Sequence, residues 1–371
     1  MKKLIGNDLV INEDSCNLSC EYCLTGQSNL KQSHRDQLIF QPPVFDEYKK
    51  GHPLGDRINT IISRIDQLGT PFIKLTGGEI FLIKNMMDLI EEVAETHEMV
   101  VIQTNGLLIR DKHIERLKKL KNIVIQISLD SHLHYGNSYR ISKSDLHKKA
   151  VEKIKYVLES KIPSEIYAVL NDRSVTEIIP FVEWLQSLGI ELVYFPFPVR
   201  GPSSEQFKVR PDQIKFVTEL YNSHEKYASI LPPKPYFLRL LRFYLEGERR
   251  FRCHLPRLVI SSFSDGTVTP CPNIWFSDMG SALSHEEEWA DVKDKVGKTG
   301  LYQSLLAEKP RLKACKGCLT PWDTLSMYFE DEITLEELCA APTYSSPSLK
   351  KLLKELKDNY LLEEKAKKVA A

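Results

Sequence analysis

The sequence predicts an α/β chain: a partial (β/α)6 barrel followed by a smaller C-terminal unit made of a hairpin and helices. Three observations predict it. Short apolar runs rich in β-branched residues recur six times before residue 200, with amphipathic helical patterns between them. The residues best suited to chemistry fall directly after those runs. The alternation then stops near residue 196, where Pro196, Pro198, Gly201 and Pro202 break the pattern.

The strand-like runs lie at 9–12, 72–76, 99–104, 123–129, 165–171 and 191–195. Between the first two, Ile58, Ile61, Ile62, Ile65 and Leu68 recur three or four apart on one helical face. Leu146, Ala150, Ile154, Val157 and Leu158 do the same between the fourth and fifth. Strands alternating with helices imply βαβ units and a parallel sheet, and in a barrel of such units ligands gather at the C-terminal strand ends. The segment 16–23 follows the first strand and Gly77, Gly78 and Glu79 follow the second. Thr104 and Asn105 close the third strand, and Asp130 closes the fourth. All of them therefore belong to one mouth of one barrel. Beyond it, 231–235 (Leu-Pro-Pro-Lys-Pro) reads as a linker, and runs at 258–263 and 267–271 flank Ser264-Asp265-Gly266, a hairpin signal. A charged helical stretch follows at 286–295, and 350–371 reads as a Lys/Glu-rich surface helix. The expected division is 1–230, 231–330 and 331–371.

Composition narrows the function classes. Lys plus Arg and Asp plus Glu both total 50 in 371 residues, so no global charge draws the chain to nucleic acid or an anionic membrane. No apolar run approaches the ~20 residues of a membrane helix, and the N-terminus turns polar too early for a secretory signal. The expectation is a cytoplasmic protein with reduced thiols. Its eight cysteines are unevenly placed: Cys16, Cys20 and Cys23, then none until Cys253, Cys271, Cys315 and Cys318, with Cys339 alone.

Cys16-Asn-Leu-Ser-Cys20-Glu-Tyr-Cys23 is a C-x3-C-x2-C triplet. Three thiolates can hold three irons of a cubane and leave the fourth open, and an open coordination position marks a catalytic site. The alternative is zinc, completed by a distant residue such as His34.

With Tyr22 before the last cysteine and Thr76-Gly77-Gly78-Glu79 after the second strand, the sequence resembles the radical S-adenosylmethionine (SAM) superfamily. The resemblance runs on through Gln103-Thr104-Asn105-Gly106, Ser128-Leu129-Asp130, Arg140, and Val169 to Asn171, in the expected order. It implies a [4Fe–4S] cluster whose open iron chelates SAM, reductive cleavage to a 5′-deoxyadenosyl radical, and an electron donor such as flavodoxin or ferredoxin. In that reading Gly77 and Gly78 admit the ligand to the backbone, and Glu79 accepts from the SAM ammonium. Arg140 offers its fork to the SAM carboxylate, Ser128 and Asp130 take ribose hydroxyls, and Tyr22 faces the adenine. Thr104, Asn105, Val169 and Asn171 complete the set. Taken singly, the glycines read as a turn, Asp130 as a cap and Arg140 as solvated surface.

Cys253 and Cys271 bracket the hairpin, and Cys315-Lys-Gly-Cys318 is a C-x2-C turn. Four thiolates suit zinc or iron–sulfur equally. The arrangement resembles the twitch domain, a shortened SPASM domain, which implies a second [4Fe–4S] cluster. Cys339 reads as a helical core thiol, with a hydrogen-donor role as the sharper alternative. Arg239, Arg242, Arg249, Arg250 and Arg252 read as a solvated helix face, or with Arg200 as a grip for an anionic substrate. Three functions follow: a radical SAM oxidoreductase or maturase acting on a small molecule or peptide, a redox-neutral epimerase or mutase, and a zinc-stapled binding protein. The first strand starts within ten residues of Met1, which leaves no room for a leader-peptide module ahead of it and tilts the expectation toward a small molecule or a separately presented peptide.

Overall fold

The computed structural model describes residues 4–11, 15–23, 47–189, 193–200, 204–264, 268–271 and 300–370. Six parallel strands follow one another across an open sheet: β1 (Gly6–Ile11), β2 (Phe72–Gly77), β3 (Met99–Thr104), β4 (Ile123–Ser128), β5 (Ser164–Leu170) and β6 (Val193–Pro198). Helices α1 (Pro53–Leu68), α2 (Met86–Thr96), α3 (Asp111–Leu117), α4 (Ser144–Glu159) and α5 (Ile178–Ser187) make the connections. The partial barrel expected from the sequence is present.

Local chemistry sets these elements. Helix α1 opens with Pro53 at its first position and stops at Gly69, whose φ of 62° suits a residue without Cβ. Its five periodic apolar residues are all buried. In α4 the expected face is shifted at one end: Leu146 is exposed, and His147 is buried in its stead, its Nε2 beside the Ser131 carbonyl. Strand β6 carries Pro196 and Pro198 inside it, paired with Ala168 and Leu170. The sequence reading took these prolines as the end of the pattern. They are tolerated because β6 is the outermost strand, where a missing N–H costs no second ladder.

Two findings change the picture of the C-terminal part. The hairpin exists, as β7 (Val259–Phe263) antiparallel to β8 (Val268–Thr269), but β7 also pairs in parallel with β1. The sheet order is therefore β6-β5-β4-β3-β2-β1-β7-β8, one sheet across the expected boundary at 230. The linker expected at 231–235 is a helix start: Leu231 and Pro232 are buried, His224 bonds the Pro232 carbonyl, and Pro235 lies in the first turn of a helix, Lys234–Glu246. The stretch 286–295 lies outside the described residues.

The sheet has two buried faces. One presents residues such as Leu9, Ile73, Val100, Ile125 and Ile166 to the helices. The other presents Phe72, Val101, Val124 and Tyr167 to the barrel lumen. That lumen is filled at the N-terminal ends of the strands by Trp322, the helix Asp323–Phe329, and the apolar side of the last helix, Pro347–Ala370, through Leu349, Leu353 and Tyr360. Residues 350–366 are mostly exposed, as expected of a surface helix, with Leu353 and Tyr360 buried on its inner side. No helix among the described residues is long and apolar enough to cross a membrane.

Candidate functional site: a barrel cavity between two cysteine groups

The cysteine triplet lies in the loop after β1 and is tied to the mouth by three neighbours. Glu79 N–H donates to the Ser15 carbonyl (2.8 Å), Glu21 N–H to the Tyr139 carbonyl (2.9 Å), and Asn105 Nδ2 to Asn17 Oδ1 (2.8 Å). Cys23 N–H closes a turn on the Cys20 carbonyl at 3.1 Å. Cys16 is exposed, while Cys20 and Cys23 are half-buried, and none of the three is in a disulfide. Burial pushes the Cys20 thiol up to about 12, with Arg140 opposing.

Gly77 is required, but for a different reason from the one the sequence suggested. A Cβ there would lie 1.7 Å from the Ile11 carbonyl oxygen of β1, so it is the neighbouring strand that excludes a side chain. Glu79 is buried, and its carboxylate collects three internal donors: Phe81 N–H (3.1 Å) and Thr104 Oγ1 (2.8 Å) on Oε1, and Asn105 N–H (2.8 Å) on Oε2. Burial raises its pKa and these donors lower it. One lone pair of Oε2 remains for a further donor. Glu79 thus locks the loop after β2 to the loop after β3.

Asp130 is the corresponding hub on the far side. It is buried and accepts from the Tyr22 hydroxyl, from Arg140 Nη2 (2.9 Å) and from Val169 N–H (3.0 Å). Arg140 also faces the Tyr22 ring at 5.6 Å, and its buried Nε has no partner within the protein. Asn171 is buried in a turn, accepting from Arg173 and Ser174 N–H, and does not line the cavity. Neither Glu79 nor Asp130 lines it. Tyr22, Gly77, Gly78, Thr104, Asn105, Ser128, Arg140 and Val169 do, together with all three cysteines, around a volume of about 250 Å³.

The second group of cysteines converges as the sequence suggested. Cys253, Cys271, Cys315 and Cys318 line one small cavity. Three separate segments bring them there. The Cys315–Cys318 turn is closed by Cys318 N–H on the Cys315 carbonyl (3.2 Å), and Arg249 N–H donates to the Lys316 carbonyl (2.7 Å), fastening the segment ahead of Cys253 to that turn. Arg249 is the residue that sequence reasoning misjudged most. It is buried rather than solvated, it donates toward the Cys253 and Cys315 thiols, and it lies 4.0 Å from Asp323. Arg239, expected on the same solvated face, is buried against Glu332 at 2.6 Å, whereas Arg250 does remain exposed. Burial pushes the Cys315 thiol up to about 12, with Arg249 opposing.

Among the described residues, no three His, Cys, Asp or Glu side chains converge tightly enough to hold a single metal ion. Thiolates around one zinc share Zn–S bonds of about 2.3 Å, whereas those of a cubane each bind a different iron and stand further apart. The zinc alternative built on His34 involves a residue outside the described part of the chain.

The two cavities adjoin. Arg200 and Thr320 line both. Between them the barrel lumen holds polar groups that the sequence reading did not single out: Asp8 of β1 and Lys74 of β2, register partners 3.9 Å apart and both nearly buried. Both face inward from mid-strand, where a charge reads as an interruption of an apolar run.

The family model of the radical SAM superfamily matches residues 14–207, just over half of the chain. The chain belongs to the radical SAM superfamily. Membership carries SAM binding and a [4Fe–4S] cluster, and makes this radical SAM protein an enzyme. Among curated relatives, a GTP 3′,8-cyclase of Staphylococcus epidermidis is 26% identical over 340 residues, spanning 88% of this chain and 89% of that one. The sporulation killing factor maturation protein SkfB of Bacillus subtilis is 26% identical over 178 residues, 47% of this chain and 38% of that one. Among solved structures, Streptococcus suis SuiB matches with a TM-score of 0.58 at 15% identity, covering 82% of this chain and 68% of its own. anSMEcpe with bound AdoMet matches with a TM-score of 0.57 at 14% identity, covering 95% and 100%. The matches to the cyclase, SuiB and anSMEcpe extend past the barrel, in keeping with a twitch/SPASM-like radical SAM architecture whose cysteine-bearing region follows it.

Proposed function

We propose that this radical SAM enzyme takes a hydrogen atom from a substrate held in the barrel lumen and oxidises or otherwise modifies it, with the four-cysteine site serving as an auxiliary [4Fe–4S] centre. The observation that carries this reading is the adjacency of the two cavities through Arg200 and Thr320. Cys16, Cys20 and Cys23 would hold the cluster that supplies the electron for SAM cleavage. Cys253, Cys271, Cys315 and Cys318 would hold the second, which offers an electron acceptor when bound.

The chain's own residues then divide the work. Arg140, already oriented by Asp130, presents its unpartnered Nε and its charge toward the mouth, where a carboxylate suits it. Glu79 keeps one acceptor position for an ammonium, and Thr104 and Asn105 are held at fixed height by it. Asp130 acts as the support of Tyr22, Arg140 and the Val169 backbone, and Ser128 offers the free hydroxyl for a ribose. Asn171 shapes the turn after β5. The division at residues 230 and 330 is one of task, with a barrel, a cysteine region and a helical tail.

Relatives named for GTP and for peptide maturation bracket the substrate classes: a small molecule or a peptide, with a flavodoxin or ferredoxin as electron source. Of the redox-neutral alternatives, an epimerase needs a thiol near the substrate and a mutase does not. Cys339 lies buried in the C-terminal apolar cluster and does not line the cavity, which speaks against the epimerase. The test is reductive SAM cleavage by the anaerobically reconstituted enzyme with candidate substrates. Formation of 5′-deoxyadenosine with a product two hydrogens lighter supports the proposal. A product of unchanged mass carrying solvent deuterium contradicts it.

A further inference from the structure

Asp8 and Lys74 have no duty in holding SAM or either cysteine group, yet both are ionisable side chains buried in the lumen. Each is 4% exposed. Asp8 Oδ1 has no hydrogen-bond partner, and the Lys74 ammonium stands 3.9 Å from that same oxygen, too far for a direct bond. Burying two charges without mutual hydrogen bonds costs several kcal/mol, on the order of what a close pair would offset. A pair held open in this way is complete only when something bridges it.

The position says where the bridging group comes from. Asp8 and Lys74 are register partners two residues deeper than Val10 and Thr76, which line the same cavity nearer the cysteine loop. That is about 7 Å further along the strands. The pair thus lies beyond the layer where the SAM-facing loops begin.

The chemistry says what bridges it. Arg200 acts on both groups and Glu165 on Lys74, so two cations and two carboxylates balance and a neutral ligand keeps the site so, whereas a carboxylate would face Asp8 and an ammonium would face Lys74. The group must accept from Lys74 and donate to Asp8 across a 3.9 Å opening, which calls for an acceptor and a donor on neighbouring atoms. Aromatic walls flank it: the ammonium lies 5.4 Å from the Tyr167 ring centroid and 5.7 Å from that of Trp322. Such walls suit a planar group. We propose that Asp8 and Lys74 form the substrate-recognition site for an amide edge, the carbonyl oxygen on Lys74 and the N–H on Asp8. The amide is either a carboxamide or a lactam within a heterocycle.

This inference rests on the lumen being the substrate site. It is tested by calorimetric titration of the reconstituted holoenzyme, saturated with SAM, with propionamide, 2-pyridone, propionate and methyl propionate. The expected result is binding of propionamide or 2-pyridone at least fivefold tighter than of the acid and the ester. Which of the two binds more tightly tells a carboxamide from a lactam source. Asp8→Leu combined with Lys74→Met replaces the pair by apolar residues and should abolish that preference, with iron content and thermal midpoint reporting the fold. If that variant does not fold, Asp8→Asn should weaken the preferred amide at least threefold. Tightest binding of propionate, no binding of any probe, an unchanged preference in the variants, or competition between the probes and SAM each overturns the proposal. A holoenzyme that binds amides but forms no 5′-deoxyadenosine would instead sink the functional reading and leave the recognition site standing.

Discussion

The two cysteine groups are built in opposite ways. The first is local: three thiols within eight residues, in one loop, with the exposed Cys16 at its edge and tied down by the loops after β2, β3 and β4. The second is assembled from segments far apart in sequence, Cys253, Cys271 and the Cys315–Cys318 turn, around the buried cation of Arg249. An open, accessible site suits exchange of a bound molecule. A closed one, lined by four thiols with a guanidinium against two of them, suits electron transfer, because net charge and hydrogen bonds to sulfur set a cluster's potential. In the proposed reading, similar ligands are given different tasks by what surrounds them.

The largest effect that can break this comparison comes from the first group. Replacing Cys16, Cys20 and Cys23 by Ala is expected to abolish 5′-deoxyadenosine formation, measured by chromatography of the reduced reaction. Persistence of SAM cleavage would separate the triplet from the chemistry. Replacing Cys253, Cys271, Cys315 and Cys318 together is expected to spare uncoupled SAM cleavage and remove product, read by mass spectrometry of the same mixtures. If both variants lose SAM cleavage alike, the two sites do not divide the labour.

A smaller effect concerns the supports. Glu79→Ala leaves the Thr104 hydroxyl and two backbone N–H groups without their buried acceptor. We expect a loss of about 3 kcal/mol or more in stability, at about 1–3 kcal/mol for each of the three unsatisfied groups, with SAM affinity down about tenfold. Denaturant midpoints and calorimetry check both figures, and a midpoint equal to the wild type would mean that the carboxylate is idle. Arg249→Met should make the second centre harder to reduce, lowering its midpoint potential in a redox titration while iron content holds. An unchanged potential would leave Arg249 a purely structural cation.

The smallest expected effect is a pH dependence that ignores both sites. His132 lies parallel to the neighbouring rings of Phe181 and Trp184, and burial, helped by His147, lowers its pKa to about 4. Its unfolded value is near 6.5, so the folded state prefers the neutral ring. That stability is complete above pH 6.5 and is lost as pH falls toward 4. With allowance for partial solvent screening the loss is about 1–2 kcal/mol. A His132→Phe variant should show a flatter acid limb in thermal melts between pH 7 and 4.5.

What the sequence made legible follows from range. Six strands were readable because β-branched runs signal themselves locally, and the first cysteine group because its spacing lies within one loop. Pro196 and Pro198 misled, since proline is barred only from strands with two neighbours and β6 has one. Asp8 and Lys74 were invisible because a charge inside a strand run is informative only once the strand's other face is known to line a cavity. Arg249 looked like one more arginine on a polar face, and only the non-local approach of the Cys315–Cys318 turn adds two thiols to that of Cys253 as its neighbours. The pairing of β7 with β1 joins residues about 250 positions apart, a contact no local pattern encodes.

The central claim is that two cysteine groups hold two iron–sulfur clusters of different task around one barrel cavity. Metal analysis of the anaerobically reconstituted wild type beside its two cysteine variants tests it most directly. About eight irons and no zinc per wild-type chain are expected, with about four irons in each variant. Four irons with one zinc in the wild type, the zinc lost on replacing Cys253, Cys271, Cys315 and Cys318, would contradict it.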